Sequence, residues 1–122
     1  MPYIKANDGR REALQRGESA QSAGELNYQM FYAIKHISDI DLLEINIKSF
    51  VVEFLGKKPN YQRYNDMTGA LIRCKKEVER RLAYRYLIIA GMLEEIMESY
   101  DDEIAKYEDL KIDENGDVEW KK

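Results

Sequence analysis

The apolar positions of this chain recur every three or four residues along most of its length, the period that places side chains on one face of an α-helix. Leu26, Met30, Ala33, Ile34 and Ile37 form one such stripe. Ahead of it, Ser22-Ala-Gly-Glu25 reads as a capping box, in which the Ser hydroxyl accepts from the Glu amide and the Glu carboxylate reaches back to the start of the helix. Leu43, Ile47, Phe50, Val51 and Phe54 make a second stripe, with Asp41 and Glu44 as a second box, Gly56 as C-cap and Pro59 blocking continuation. The β-branched run INIKSFVV also suits a strand, but five stripe positions fit the helix better. Arg10 to Gln15 predicts a brief helix ended by Gly17, and Ser38 to Ile40 is an uncertain break between the two longer ones.

Asn60 is a predicted N-cap, and behind it the register runs Tyr64, Met67, Leu71, Cys74, Val78, Leu82, Tyr86, Ile89, Leu93, Ile96, Tyr100, Ile104, Tyr107 with no proline. As one helix of about 47 residues it would reach about 70 Å, against some 30 Å for a compact domain of this length. Two arrangements follow. A continuous helix protrudes and needs a second copy to cover Leu82, Ile89, Leu93, Ile96 and Ile104; a hairpin broken near Gly91 covers the stripe within the chain. After Tyr107 the chain turns polar, and Asn115-Gly116 ends the helical run. Val118 and Trp120 then alternate as a short strand or clasp, with the Trp120 ring expected to dock on the body.

The charge pattern adds a partner question. Residues 57 to 85 carry nine cations and three anions, whereas residues 86 to 122 carry four cations and twelve anions, within a net charge of −4. A basic middle beside an acidic end favours attraction between the two, inside one chain or between copies. The overall acidity, and Glu77 and Glu79 interrupting the basic run, argue against nucleic acid as a partner even though Tyr84 and Tyr86 offer stacking faces. No segment has the ~18 unbroken apolar residues of a membrane span. The opening MPYIKANDGRR lacks an apolar signal region and the single Cys74 has no disulfide partner, so a cytoplasmic location is expected. Cys74 lies between Leu71 and Val78 in the stripe, the setting of a buried small hydrophobe.

Signals for catalysis are weak. Glu95-Ile-Met-Glu98 and Glu98-Ser-Tyr-Asp101 look like the paired carboxylate motifs of all-helical nucleoside triphosphate pyrophosphohydrolases, where four carboxylates from two helices hold magnesium. Here both pairs share Glu98 on one helix, which describes a solvated acidic face. His36 is the only histidine and has no second metal-binding residue at a useful spacing, and no glycine-rich phosphate loop is present. No metal, cofactor or catalytic residue is assigned.

Several segments together resemble a family of small uncharacterised proteins of bacteria and their phages: PYIK, RREAL, AGELNY (23–28), YNDMTGALIRCKKEVERR (64–81) and YEDLKIDENGDV (107–118). They occupy 45 of the 122 residues, in order. Those proteins typically pass from the Arg-Arg pair through a few residues and a proline into Tyr-Glu-Asp, whereas here Leu82 to Lys106 intervene without a proline. The resemblance implies a small helical fold and no mechanism. Most of the matched polar residues, among them Glu25, Asn27, Asn65, Lys111, Asn115 and Asp117, suit caps and inter-helix hydrogen bonds. A sharper reading brings Tyr28, Arg80, Arg81, Glu108 and Asp109 into one cleft for a small anionic or nucleotide-like ligand, the arginines meeting phosphate as bidentate donors.

The expectation is therefore an all-α protein, a small helical bundle over residues 1–122 as one domain, with a long C-terminal helix or a hairpin broken near Gly91 and a short irregular tail. It acts by binding, as a homo-oligomer with a dimer favoured. The alternative is a nucleotide-handling protein, ligand-sequestering or pyrophosphohydrolase-like, with its cleft between subunits.

Overall fold

A computed structural model describes residues 9–81, 84–108, 110–112 and 118–120, with side chains described as far as Lys106. The architecture is an all-α bundle: α1 (Arg10–Gln15), α2 (Ala23–His36), α3 (Ile40–Leu55), α4 (Tyr61–Glu79), α5 (Tyr84–Glu98) and α6 (Asp101–Glu108), followed by two short strands. The predicted N-caps of α2 and α4 are carried out as hydrogen bonds. Ser22 Oγ accepts from the Glu25 amide at 3.2 Å, and Asn60 Oδ1 accepts from the Arg63 amide at 2.8 Å. Gly17 and Gly56 follow α1 and α3 at φ 99° and 75°, a region that costs side-chain-bearing residues energy.

Two caps differ from expectation. The start of α3 is set by Asp39, whose carboxylate accepts from the Leu42 amide at 2.9 Å. Asp41 falls inside the first turn and Glu44 pairs with Lys48 one turn on, so the Asp41–Glu44 box does not form. At α2 the Glu25 carboxylate reaches past the cap residue and accepts from the Gln21 amide at 2.8 Å. It also takes a bidentate pair from Arg10, at 2.8 Å through Nε and 2.6 Å through Nη2, and Arg10 holds the Ser19 carbonyl as well. Gln29, buried at 3% exposure, ties the same region down by donating to the carbonyls of Leu14 and Glu18, both at 2.9 Å.

The long register behind Asn60 is neither one helix nor a hairpin at Gly91. α4 ends at Glu79 and α5 begins at Tyr84, and Gly91 lies inside α5 with open space where a side chain would stand. Lys75 meets Glu94 at 3.1 Å and the rings of Tyr64 and Tyr100 lie 6.3 Å apart, so α4 and α5 run antiparallel. Glycine's cost in a helix, about 1 kcal/mol, is small beside the burial that α5 gains by continuing. Met67, Leu71, Cys74 and Val78 of α4 share one core with Ile89, Leu93 and Ile96 of α5 and with the stripes of α2 and α3.

This corrects the basis for the expected oligomer seam. Ile89, Leu93 and Ile96 are buried in the chain's own core and Ile104 packs partly against it, while Leu82 lies outside the described residues. The exposed apolar side chains of α5 are instead Tyr84, Leu87 and Ile88. Lys75–Glu94 is the expected pairing of basic and acidic halves, made within one chain.

Beyond α6, Leu110–Ile112 (β1) and Val118–Trp120 (β2) pair antiparallel, with Leu110 opposite Trp120. The strand-like clasp is thus present in the backbone of the segment expected to be irregular. The Asn115-Gly116 turn and the docking of the Trp120 ring lie outside the described residues. Among the described residues, no helix is long and apolar enough to cross a membrane.

The internal seam predicts a contrast. Leu93→Ala, at 1% exposure, should cost about 2–5 kcal/mol, and Leu87→Ala, at 54%, about 0.5 kcal/mol or less, as read from urea midpoints. Glu25 predicts an acid limb. Its hydrogen bonds from Arg10 hold the carboxyl below the ordinary 4.5, outweighing the opposing effect of burial. A carboxyl lowered in the folded state contributes stability that is complete above about 4.5 and is lost as pH falls through the lower folded value. Glu25→Gln should therefore lower Tm at neutral pH and flatten its dependence on pH below that point.

Candidate functional site

The packing of α2 on α4 leaves one face of each helix at the surface, and between them lies a cleft of about 500 Å³. The helical period explains its composition. On α2 the core takes Leu26, Met30, Ala33 and Ile34, so Asn27, Tyr28, Phe31, Tyr32, Lys35 and His36 fall along the adjoining face and line the cleft. On α4 the core takes Leu71, Cys74 and Val78, which leaves Arg73 and Glu77 for the cleft, joined by Arg81 just past the helix end and Arg11 from α1.

Three rings form a ladder along α2, each four residues from the last. Tyr28 and Tyr32 lie 6.3 Å apart at 29°, and Tyr32 and His36 lie 4.2 Å apart at 34°. The Tyr28 hydroxyl accepts from Gln15 Nε2 at 2.8 Å, and the Arg11 guanidinium sits 5.9 Å from the Tyr28 ring centre. Phe31 is flanked by two cations, Lys35 Nζ at 5.5 Å and the Arg81 guanidinium at 5.1 Å from its centre. Arg81 also lies 5.9 Å from the ring of Tyr86. Such contacts hold a cation in place without neutralising it.

Four cations face a single carboxylate here, Glu77, and that carboxylate is engaged by Arg80 Nη1 at 2.8 Å. Among the described residues Lys35, Arg73 and Arg81 form no ion pair. The last turns of α2 and α4 add partial negative charge, about half an elementary charge each, which full cationic charges exceed. The cleft is therefore electropositive in a chain of net charge −4. Asn27 Oδ1 accepts no hydrogen bond from any described residue, and nothing in the fold accounts for it.

Of the residues expected to converge, Tyr28 and Arg81 do so. Arg80 does not line the cleft: it is 76% exposed and reaches it only through Glu77. The side chain of Glu108, and Asp109 altogether, lie outside the described residues. The expectation missed Tyr32, Phe31, Lys35, His36, Arg73 and Arg11. A helical wheel of α2 would have put Tyr28, Tyr32 and His36 on one strip, but only packing shows that Arg73 and Arg81 oppose it. Arg85, a plausible ligand cation by charge alone, is spent structurally, donating to the carbonyls of Ile34 and Ile37 at the end of α2.

The carboxylates Glu95, Glu98 and Asp101 are exposed, and no group of three or more metal-binding side chains occurs among the described residues. Cys74 is fully buried, and burial, with Glu77 nearby, pushes its thiol up to about 12, so it stays protonated at neutral pH.

Fold and site together define an all-α bundle with an aromatic, cationic cleft between two of its helices. The chain belongs to the family DUF6899, a domain of unknown function, whose pattern matches residues 1–87. The match takes in both cleft-forming helices and Arg81 and ends four residues into α5; the closing segment 107–118 lies beyond it. No curated protein and no solved structure matches the chain.

Proposed function

We propose that the protein acts by binding, and that the α2–α4 cleft receives a ligand combining negative charge with an aromatic ring, as a nucleotide does. The observation that carries this reading is the set of Lys35, Arg73 and Arg81, unneutralised among the described residues, around Tyr28, Phe31 and Tyr32. Guanidinium groups meet phosphate through paired, charge-assisted hydrogen bonds, and aromatic rings stack on a base. A volume of about 500 Å³ suits a ligand of that size. The proposal includes one domain over residues 1–122, supported by a single core cluster joining α1 to α5, and a reducing bacterial or phage-infected cytosol, supported by a lone buried thiol and by the resemblance noted above. A thermal-shift series with nucleotides and inorganic phosphate tests it. A ligand at 100 times its Kd should add about 2.7 kcal/mol of stability. Arg73→Ala, which removes an exposed side chain, should weaken binding by about 1.5–3 kcal/mol and leave Tm without ligand nearly unchanged. A flat series across all nucleotides refutes the cleft.

A second reading, self-association, rests on a different observation. Leu42, Ile45 and Val52 project from one face of α3 at 50%, 65% and 57% exposure. Their spacing of three and seven residues is that of a helix–helix seam. A homodimer through α3 is supported by this face, and no longer by the α5 stripe. Light scattering at micromolar concentration should give twice the chain mass, and Ile45→Glu should halve it; a monomeric wild-type protein excludes the dimer.

A further inference from the structure

We infer that the ligand of this cleft is a single-stranded nucleic acid, its bases packed against the aromatic wall of α2 and its phosphates held by Lys35, Arg73 and Arg81. This rests on the binding reading above and narrows it from any nucleotide to a polymer. The first reason is length. Tyr28 to His36 spans about 12 Å of helix at about 1.5 Å per residue, and Arg73 to Arg81 spans a similar distance on the facing wall. One nucleotide advances a stacked strand by about 3.4 Å, so the ladder and the cations together match about three or four successive nucleotides.

The second reason is the order of the groups. Rings with Lys35 among them line the α2 wall and Arg73 and Arg81 the facing one, a combination that serves single strands, whose bases are free to stack while a charged groove tracks the backbone. In a duplex the base faces are covered by their neighbours, and rings on a helix cannot reach them. The third reason is continuation. Past Arg81 the chain presents Tyr84 at 80% exposure, a further ring three residues beyond the last cleft cation.

The sequence-level objection to nucleic acid weakens in three dimensions. Glu77 is paired with Arg80, and Glu79 is not among the cleft residues. The acidity of the whole chain comes mostly from residues 86–122, whose described carboxylates, Glu94 to Glu103, lie on α5 and α6 rather than on the α2–α4 cleft.

The test is fluorescence anisotropy of the full-length protein with a labelled ten-nucleotide oligothymidylate, with thymidine monophosphate and the hybridised duplex as competitors. The oligonucleotide should bind at least tenfold more tightly than the mononucleotide and more tightly than the duplex. Three phosphates neutralised by Lys35, Arg73 and Arg81 give a salt slope of about −2, a loss of roughly 15- to 20-fold between 50 and 200 mM salt. Tyr32→Ala should weaken binding roughly tenfold, the loss of one aromatic contact to a base, with helical circular dichroism preserved. Tyr32→Phe should restore most of it. Equal affinity for monomer and oligomer overturns the polymer inference and leaves the nucleotide cleft standing, whereas no binding of either overturns both. Loss of binding in Arg73→Glu with Tyr32→Ala fully active also overturns it, since the contact would then be charge alone.

Discussion

The fold-back of α5 onto α4 is the constraint on which the remaining structure rests. A stripe running from Tyr64 to Ile104 is too long to be covered by anything else in a chain of 122 residues, and the antiparallel packing of α5 on α4 lets its two halves cover each other. Once Ile89, Leu93 and Ile96 lie against Leu71, Cys74 and Val78, α4 has one further face to offer, and α2 and α3 occupy it with their own stripes. Apolar burial at about 25 cal/mol per Å² dwarfs the local preferences in play, so the helical glycine at 91 is tolerated and the break falls elsewhere. The exposed ion pairs, worth at most about 1 kcal/mol each, follow this arrangement; Lys75–Glu94 records the register rather than imposing it.

The cleft is a by-product of the same packing. Helices meeting along their apolar stripes leave diverging shoulders, and the residues on those shoulders decide what the gap is for. On α2 they are aromatic with Lys35 among them, on α4 they are Arg73 and the Arg80-paired Glu77, Arg81 follows just past its end, and the α1 segment closes one end with Arg11. The N-terminal region is held in place by polar contacts as well as by the buried Leu14 and Ala20: Arg10 grips Glu25 and the Ser19 carbonyl, and Gln29 donates to the carbonyls of Leu14 and Glu18. At the other end Arg85 fastens the last turn of α2 through two carbonyls. Three residues that look like surface charge or surface polarity in a sequence are thus structural, while Arg73 and Lys35, which look the same, remain unpaired among the described residues.

Membership of DUF6899 over residues 1–87 covers α1 to α4 and the start of α5, which includes the described cleft residues. The remaining part of α5, which completes the core, falls outside that match. The cleft and the means of closing the bundle therefore belong to different stretches of the chain.

The sequence by itself determined which segments are helical, because that depends on neighbours a few residues apart: Ser22 and Asn60 as caps, Gly17 and Gly56 as stops, and stripes at 3.6-residue spacing that turn out to be the core. It also determined that Cys74 is interior, since its place in the stripe is a local fact. It did not locate the break in the long register, because a period of three or four residues is equally well satisfied by one helix or by two that fold together. Nor did it choose Asp39 over Asp41 as the cap of α3, two carboxylates whose difference lies in the direction the chain arrives from. Of the candidate site it gave Tyr28 and Arg81, and the ladder on α2 was within its reach. What only the tertiary structure decided is that this ladder faces Arg73 and Arg81 while Arg85 and Glu77 are occupied elsewhere, since residues some forty positions apart meet only through the angle at which two helices pack.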